Sequence, residues 1–148
     1  MYVIEYALTS VANNDWLLKI ETRFGGLLVQ FHPSLVEALS PQLQSPRLAV
    51  RKRAILCLGH LVMSCDQTLY IKLINMLLEE LAKSGSTSST RTYIQALGAV
   101  CRQAGHRFGD HVERVMPLIM QYARGEDDEL KEHVLQVLCK IFDNNSIE

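Results

Sequence analysis

Apolar residues recur with a helical period along nearly the whole chain. Leu69, Leu73, Leu77 and Leu81 repeat at every fourth position, with Ile74 and Leu78 beside them. Residues four apart stack on one side of a helix, so this run predicts a broad apolar face about three turns long. Val50, Ile55, Leu58, Leu61 and Val62 predict a second face. Val112, Val115, Leu118, Ile119 and Tyr122 predict a third, and Leu130, Val134, Val137, Leu138 and Ile141 a fourth. No stretch sustains the strict polar–apolar alternation of a half-buried strand. The pattern predicts an all-α protein.

The boundaries carry ordinary start and stop chemistry. Pro33 suits the first turn of a helix, and Ser45 before Pro46 reads as an N-cap followed by a proline at N1. Asp66 can cap the helix that carries Leu69 to Leu81. The run Ser84-Gly85-Ser86-Thr87-Ser88-Ser89-Thr90 reads as a loop. Gly105 and Gly109 bracket a short turn, and Gly125 ends a helix ahead of Glu126-Asp127-Asp128-Glu129. Acidic residues suit a helix N-terminus because they face the positive end of its dipole.

The helices repeat. Leu58-Gly59 recurs as Leu97-Gly98, and Ala96-Leu97 as Val137-Leu138, each about 40 residues on. Ala38-Leu39-Ser40-Pro41-Gln42-Leu43 recurs in type as Arg114-Val115-Met116-Pro117-Leu118-Ile119, two such periods later. Two helices per period of about 40 residues predict a right-handed α-solenoid of HEAT-like helix pairs. Pro41 and Pro117 would bend the first helices of their pairs. Gly59 and Gly98 lower helix propensity by about 1 kcal/mol each, which implies a close approach of a neighbouring helix. The expected organisation is a single array over residues 1–148. A partial unit covers 2–31, with a helix near Trp16–Phe31, and units follow at about 33–65, 66–106 and 108–144. Neither end carries a polar cap, so the chain reads as a slice of a longer array whose apolar ends offer a route to self-association.

Composition narrows the function. The chain has 148 residues, 48% of them hydrophobic and 21% charged, with a formal net charge of −1. That balance is globular and gives no global pull toward nucleic acid or an anionic membrane. The unbroken apolar runs are too short to span a bilayer, and the N-terminus lacks the pattern of a secretory signal. Cys57, Cys65, Cys101 and Cys139 form no Cys-x-x-Cys pair and sit in or beside apolar helical stretches. They read as buried thiols in a reducing compartment, the cytosol or nucleus.

Catalytic patterns are missing. None of His32, His60, His106, His111 and His133 stands in a His-Glu-x-x-His arrangement, and a site built on His106 and His111 would find only Asp110 nearby. There is no phosphate-binding glycine loop and no nucleophile elbow. No metal, cofactor or enzymatic activity is expected.

The sharpest surface feature is basic. Arg47, Arg51, Lys52 and Arg53 open one second helix, and Arg47 and Arg51 share a face. Arg91 occupies the place equivalent to Lys52 in the next unit, and Arg107 follows after Arg102 and His106. Two readings fit. One is a basic ridge along the concave, partner-binding side of a solenoid; the other is a solvated helix face paired with Glu79, Glu80 and Asp110. Nucleic acid fits less well, because aromatic residues do not interleave the cations.

At the following residues the chain resembles a known family. They are Gly25-Gly26-Leu27-Leu28-Val29-Gln30-Phe31-His32-Pro33-Ser34, Pro41-Gln42-Leu43, Ser45-Pro46-Arg47-Leu48-Ala49-Val50-Arg51-Lys52-Arg53, and Leu58-Gly59-His60-Leu61-Val62-Met63-Ser64-Cys65. The likeness continues through Thr90-Arg91-Thr92-Tyr93-Ile94-Gln95, Arg102-Gln103-Ala104-Gly105-His106-Arg107 and Asp127-Asp128-Glu129-Leu130. Over about residues 24–132 these runs resemble the cullin-associated and neddylation-dissociated proteins. Members of that family are long HEAT solenoids around cullin–RING scaffolds that lack the Nedd modifier, and they promote exchange of substrate-receptor modules on ubiquitin ligases. The resemblance places this segment toward the family's N-terminal end, near the cullin C-terminal region and its RING subunit. The stretch before Gly25 looks shorter than the family's, and the chain drifts from the pattern after Leu130.

The resemblance implies a non-enzymatic binding scaffold for unmodified cullin–RING scaffolds, regulating assembly of these ligases from the cytoplasm or nucleus. It does not imply that four units alone exchange receptors. Arg47, Arg51, Lys52, Arg53, Arg91 and Arg107 are the candidate contact residues. The alternative is a karyopherin-like HEAT module that takes acidic or linear peptides.

Overall fold

The computed structural model describes residues 30–145, apart from the side chains of His106, Asn144 and Asn145. The expected partial unit at 2–31, with its helix near Trp16–Phe31, lies outside the described residues except for residues 30–31. Six α-helices run in chain order among the described residues: α1 (His32–Leu39), α2 (Leu48–Val62), α3 (Gln67–Lys83), α4 (Thr87–Ala104), α5 (Val112–Ala123) and α6 (Asp128–Asn145). Short 3-10 segments at Ser40–Gln44 and Gly105–His111 follow α1 and α4. No strand occurs among the described residues. The protein is all-α, as the periodicity predicts. Contacts divide it into two compact units between Leu73 and Ile74, inside α3.

In the first unit, α1, its 3-10 extension and α2 pack on one another. Leu35 and Leu39 of α1 and Leu43 of its 3-10 extension are buried, as are Val50, Ala54, Leu58 and Leu61 of α2. Full burial of one such leucine is worth about 1.5–3 kcal/mol. Pro33 occupies the first turn of α1, where a missing N–H costs nothing. Pro41 does not bend a longer helix; α1 ends at Leu39 and the chain tightens into the 3-10 turn. Pro41 has no N–H to offer Glu37 O four residues back, and Ser40 closes the end of α1 on Val36 O with its amide and with its hydroxyl, the latter at 2.7 Å.

Helix α2 also begins later than Ser45-Pro46 suggests. Ser45 is held extended (ψ 139°), as a residue before proline must be, and the N-cap is Arg47. The Ser45 hydroxyl accepts the Arg47 amide at 3.2 Å, closing a local turn ahead of the helix. Asp66 caps α3 as read from sequence, its Oδ1 accepting the Leu69 amide at 2.8 Å.

In the second unit, α4 packs chiefly on α6, and α5 and the second 3-10 segment complete the cluster. Ile94, Leu97, Val100 and Cys101 of α4 are buried, as are Val134, Val137 and Ile141 of α6 and Phe108 of the 3-10 segment. Gly98 permits the contact: a Cβ there would stand 2.8 Å from Val137 Cγ2. The Ser/Thr run is a loop only to Ser86. Ser86 Oγ accepts the Ser89 amide at 3.2 Å, and the Thr90 and Thr92 hydroxyls bond back to Ser86 O and Ser88 O, both at 3.0 Å. The hydroxyls that would favour a loop are therefore used to start α4. At its other end, Gly105 takes φ +56°, open to glycine, and the chain enters a 3-10 helix rather than a simple turn. Pro117 lies inside α5.

Cys57, Cys65 and Cys101 are buried and in no disulfide, whereas Cys139, also outside any disulfide, is exposed. Its place on α6 turns it to the solvent side, because the buried stripe runs through Val134, Val137 and Ile141. No helix among the described residues is long and apolar enough to cross a membrane.

Candidate functional site

The first group of predicted cations opens α2. Arg47 sits at the N-cap with extended backbone (φ −89°, ψ 115°) and is exposed, and so is Lys52. Arg51 and Arg53 are half-buried. Arg51 turns back along the helix start, its Nη1 donating to Ser45 O at 2.7 Å. That contact fixes the fork of the guanidinium beside the local turn and satisfies a carbonyl that Pro46 leaves outside the helix. The exposed charge of this group is thus carried by Arg47 and Lys52. Both stand among apolar neighbours that face water, Leu48 and Leu56.

Arg91 and Arg107 belong to the second unit. Arg91 Nη2 donates to Asp127 Oδ2 at 3.1 Å and to Oδ1 at 3.3 Å, and its Nη1 lies 2.9 Å from Glu129 Oε2. Its charge is compensated across the α4–α6 contact. Arg107 is half-buried in the 3-10 segment, and Arg102 is exposed on the last turn of α4. Arg114 Nη2 donates to Asn75 Oδ1 at 2.8 Å.

Asp127 is the polar centre of that second unit. It precedes α6, and its Oδ1 accepts the Leu130 amide at 2.9 Å. The Leu130 N–H first and the Arg91 guanidinium second hold its carboxyl below the usual aspartate range, against the opposing effect of desolvation. A second rung follows: Gln95 Nε2 and His133 Nε2 are 3.2 Å apart, and His133 Nε2 is 3.9 Å from Glu129 Oε1. Sequence reasoning assigns the 126–129 cluster to capping, and Asp127 does cap. It does not find Arg91's partners there, pointing instead to Glu79, Glu80 and Asp110. The available signal is the repeat itself, since the cap of one second helix falls beside the first turns of the preceding one.

His111 is buried, and burial first and Arg114 second push its imidazole below the ordinary histidine range, with Asp110 opposing. No group of three or more His, Cys, Asp or Glu side chains that could hold a metal occurs among the described residues. The chemistry on offer is recognition of carboxylates and apolar side chains by Arg47, Lys52 and their neighbours.

Comparison with known proteins gives a consistent picture. Residues 2–61 match the HEAT-like repeat family. The chain is 46% identical over 125 residues to Cullin-associated NEDD8-dissociated protein 2 of Rattus norvegicus, covering 82% of this chain and 10% of that protein. It is 44% identical over 128 residues to Cullin-associated NEDD8-dissociated protein 1 of Drosophila melanogaster, covering 86% and 10%. It is also 29% identical over 129 residues to Cullin-associated NEDD8-dissociated protein 1, N-terminal part, of Emericella nidulans, covering 84% of this chain and 38% of that protein. The chain spans about a tenth of the length of the first two relatives.

Proposed function

Since this chain belongs to the cullin-associated NEDD8-dissociated family of HEAT-repeat proteins, we propose that it is a non-enzymatic protein-binding scaffold whose partner is a cullin–RING assembly lacking the Nedd modifier. The observation that carries this reading is identity of 44–46% over more than four-fifths of the chain to relatives named for cullin association. The resemblance to the N-terminal part of a relative supports a segment that meets the cullin C-terminal region and its RING subunit. The reading places the protein in the cytoplasm or nucleus, where such ligases act.

The contact residues of this proposal are Arg47, Arg51, Lys52 and Arg53 at the start of α2 in the first unit and, in the second unit, Arg91 of α4 and Arg107 of the 3-10 segment. Among them Arg47 and Lys52 bear the recognition of partner carboxylates, because they are exposed. Arg51 is spent in part on Ser45 O, and Arg91 holds α4 to α6. Exposed cations steer encounter and are screened by salt, so the complex weakens as ionic strength rises.

The test is titration of the purified chain against an unmodified cullin–RING C-terminal region and its Nedd-modified form. Selective, salt-sensitive binding to the unmodified form supports the proposal. Equal affinity for both forms, or none for either from a chain shown to be folded, overturns it.

A further inference from the structure

In the second unit, α4 and α6 meet along a seam of polar side chains in constant register. Arg91 Nη1 lies 2.9 Å from Glu129 Oε2, and Gln95 Nε2 lies 3.2 Å from His133 Nε2. Both pairs are 38 residues apart in the chain. Residues three and four apart share a helix face, so the stripe on α4 continues through Gly98 to Arg102. The same offset of 38 residues sets Lys140 opposite Arg102. The first rung thus joins a cation to a carboxylate and the second an amide to an imidazole, whereas the last sets two cations against each other.

No group among the described residues compensates that last rung. Lys140 is half-buried and Arg102 exposed, and neither forms an ion pair or hydrogen bond there. Asp143, three residues beyond on α6, does not pair with Lys140. Glu129 precedes Lys140 by about 16 Å of helix axis, twice the roughly 8 Å over which charges act at physiological salt. Gly98 gives the ammonium its place. Lys140 Nζ stands 3.6 Å from where a Cβ on Gly98 would sit, so the side chain leans back over bare α4 backbone. Two cations therefore flank a stretch of seam that has no side chain on its floor. Like charges set opposite each other are unfavourable until an anion lies between them.

We infer that Arg102 and Lys140 form a binding site for a carboxylate on an acidic segment of a protein partner. The seam itself supplies the chemical precedent: one end of the same stripe places Arg91 against the carboxylates of Asp127 and Glu129. At the other end the partner brings the carboxylate, held by the guanidinium fork of Arg102 and the point charge of Lys140. Nucleic acid fits poorly, because the stripe Arg91, Gln95, Gly98 and Arg102 offers no aromatic ring for a base to stack on. The site lies outside the contact residues assigned to the cullin-binding surface, and it stands or falls separately from that reading.

The experiment titrates the full isotope-labelled chain with an acetylated hexaglutamate peptide and follows backbone amide shifts. Saturable shifts centred on Gly98, Arg102 and Lys140, weakening as salt rises, are expected. Lys140→Gln and Arg102→Gln each lower the affinity about threefold. Arg124→Gln removes the same charge from an exposed position at the end of α5 and leaves the affinity unchanged. Shift mapping on the wild type locates the site without any variant. Shifts that do not saturate, or that centre away from these three amides, overturn the inference. So does an Arg124→Gln loss as large as that of Lys140→Gln, which is attraction to net charge alone. Inorganic phosphate that moves the same amides at lower concentration than the peptide overturns the assignment to a carboxylate.

Discussion

Arg91 and Asp127, 36 residues apart, meet through one guanidinium nitrogen that reaches both carboxylate oxygens, at 3.1 and 3.3 Å. The same carboxylate accepts the Leu130 amide. One side chain therefore starts α6 and ties it to α4, and Glu129 adds a second acceptor for Arg91 at 2.9 Å.

Separating the two roles of Asp127 is straightforward. Asp127→Ala removes both the cap and the pair, Asp127→Asn keeps an acceptor for Leu130, and Arg91→Ala removes only the cross-helix contact. Amide exchange at Leu130 should accelerate most in Asp127→Ala, less in Asp127→Asn and least in Arg91→Ala, which leaves the cap intact. Equal acceleration in all three would show that capping and pairing are not distinct.

Gly98→Ala sets two effects against each other. The helix gains about 1 kcal/mol of propensity. A methyl group 2.8 Å from Val137 Cγ2 overpacks the contact at a cost of about 1–3 kcal/mol. Val137 is β-branched and cannot swing aside within a helix, so the cost wins and the variant is less stable in urea unfolding. Adding Val137→Ala should recover part of the loss, a coupling that a double-mutant cycle reads directly. A Gly98→Ala protein more stable than wild type would refute the close approach.

Ser86→Ala removes the acceptor of the Ser89 amide at the start of α4. The expected loss is about 1 kcal/mol, typical of a serine N-cap. Ser86→Asp should preserve stability, since aspartate caps as well and suits the dipole. Thermal unfolding of the three proteins distinguishes a cap from a passive loop residue, for which all three would coincide.

Stability should depend on pH in two windows. Burial and Arg114 lower the His111 pKa from 6.5, so between its folded and unfolded values the unfolded chain binds more protons. The folded state loses stability as pH falls below about 6.5. Asp127 behaves as a stabilised carboxylate: its contribution is full above the unfolded value of 3.8 and is lost as pH falls below that. His111→Gln should flatten the upper window and leave the lower one, as read from urea midpoints across pH.

For the proposed partner, Arg51→Glu and Lys52→Glu should weaken binding more than Glu79→Lys, and Lys52→Glu should also reduce its salt dependence. Lys52 is the cleaner probe, because Arg51 also holds Ser45 O. Equal effects of all three would remove the basic surface from the proposal.

The helices themselves were legible in the sequence because burial acts on every turn. Leu73, Leu77 and Leu81, or Val134, Val137 and Ile141, announce a buried face by spacing alone, and the structure buries each of them. The cap at Asp66 was legible for a similar reason, since it needs only an acceptor three residues ahead of an amide. Gly98 announced a close approach by being a poor helix former in a good helix.

What the sequence by itself determined is therefore the local part: an all-α chain, the repeat of its helices, the positions of their apolar faces and the absence of familiar catalytic motifs. Tertiary structure decided which polar groups meet. Whether Arg91 faces solvent or Asp127 depends on how α4 and α6 are rotated against each other, a choice made by Val137 seating on Gly98 and not by any spacing in the chain. The same rotation leaves Cys139 exposed beside Leu135 and Phe142 while its three counterparts are buried. The start of α4 within the Ser/Thr run was decided by competition among hydroxyls for the same backbone groups, which only the final hydrogen-bond geometry resolves.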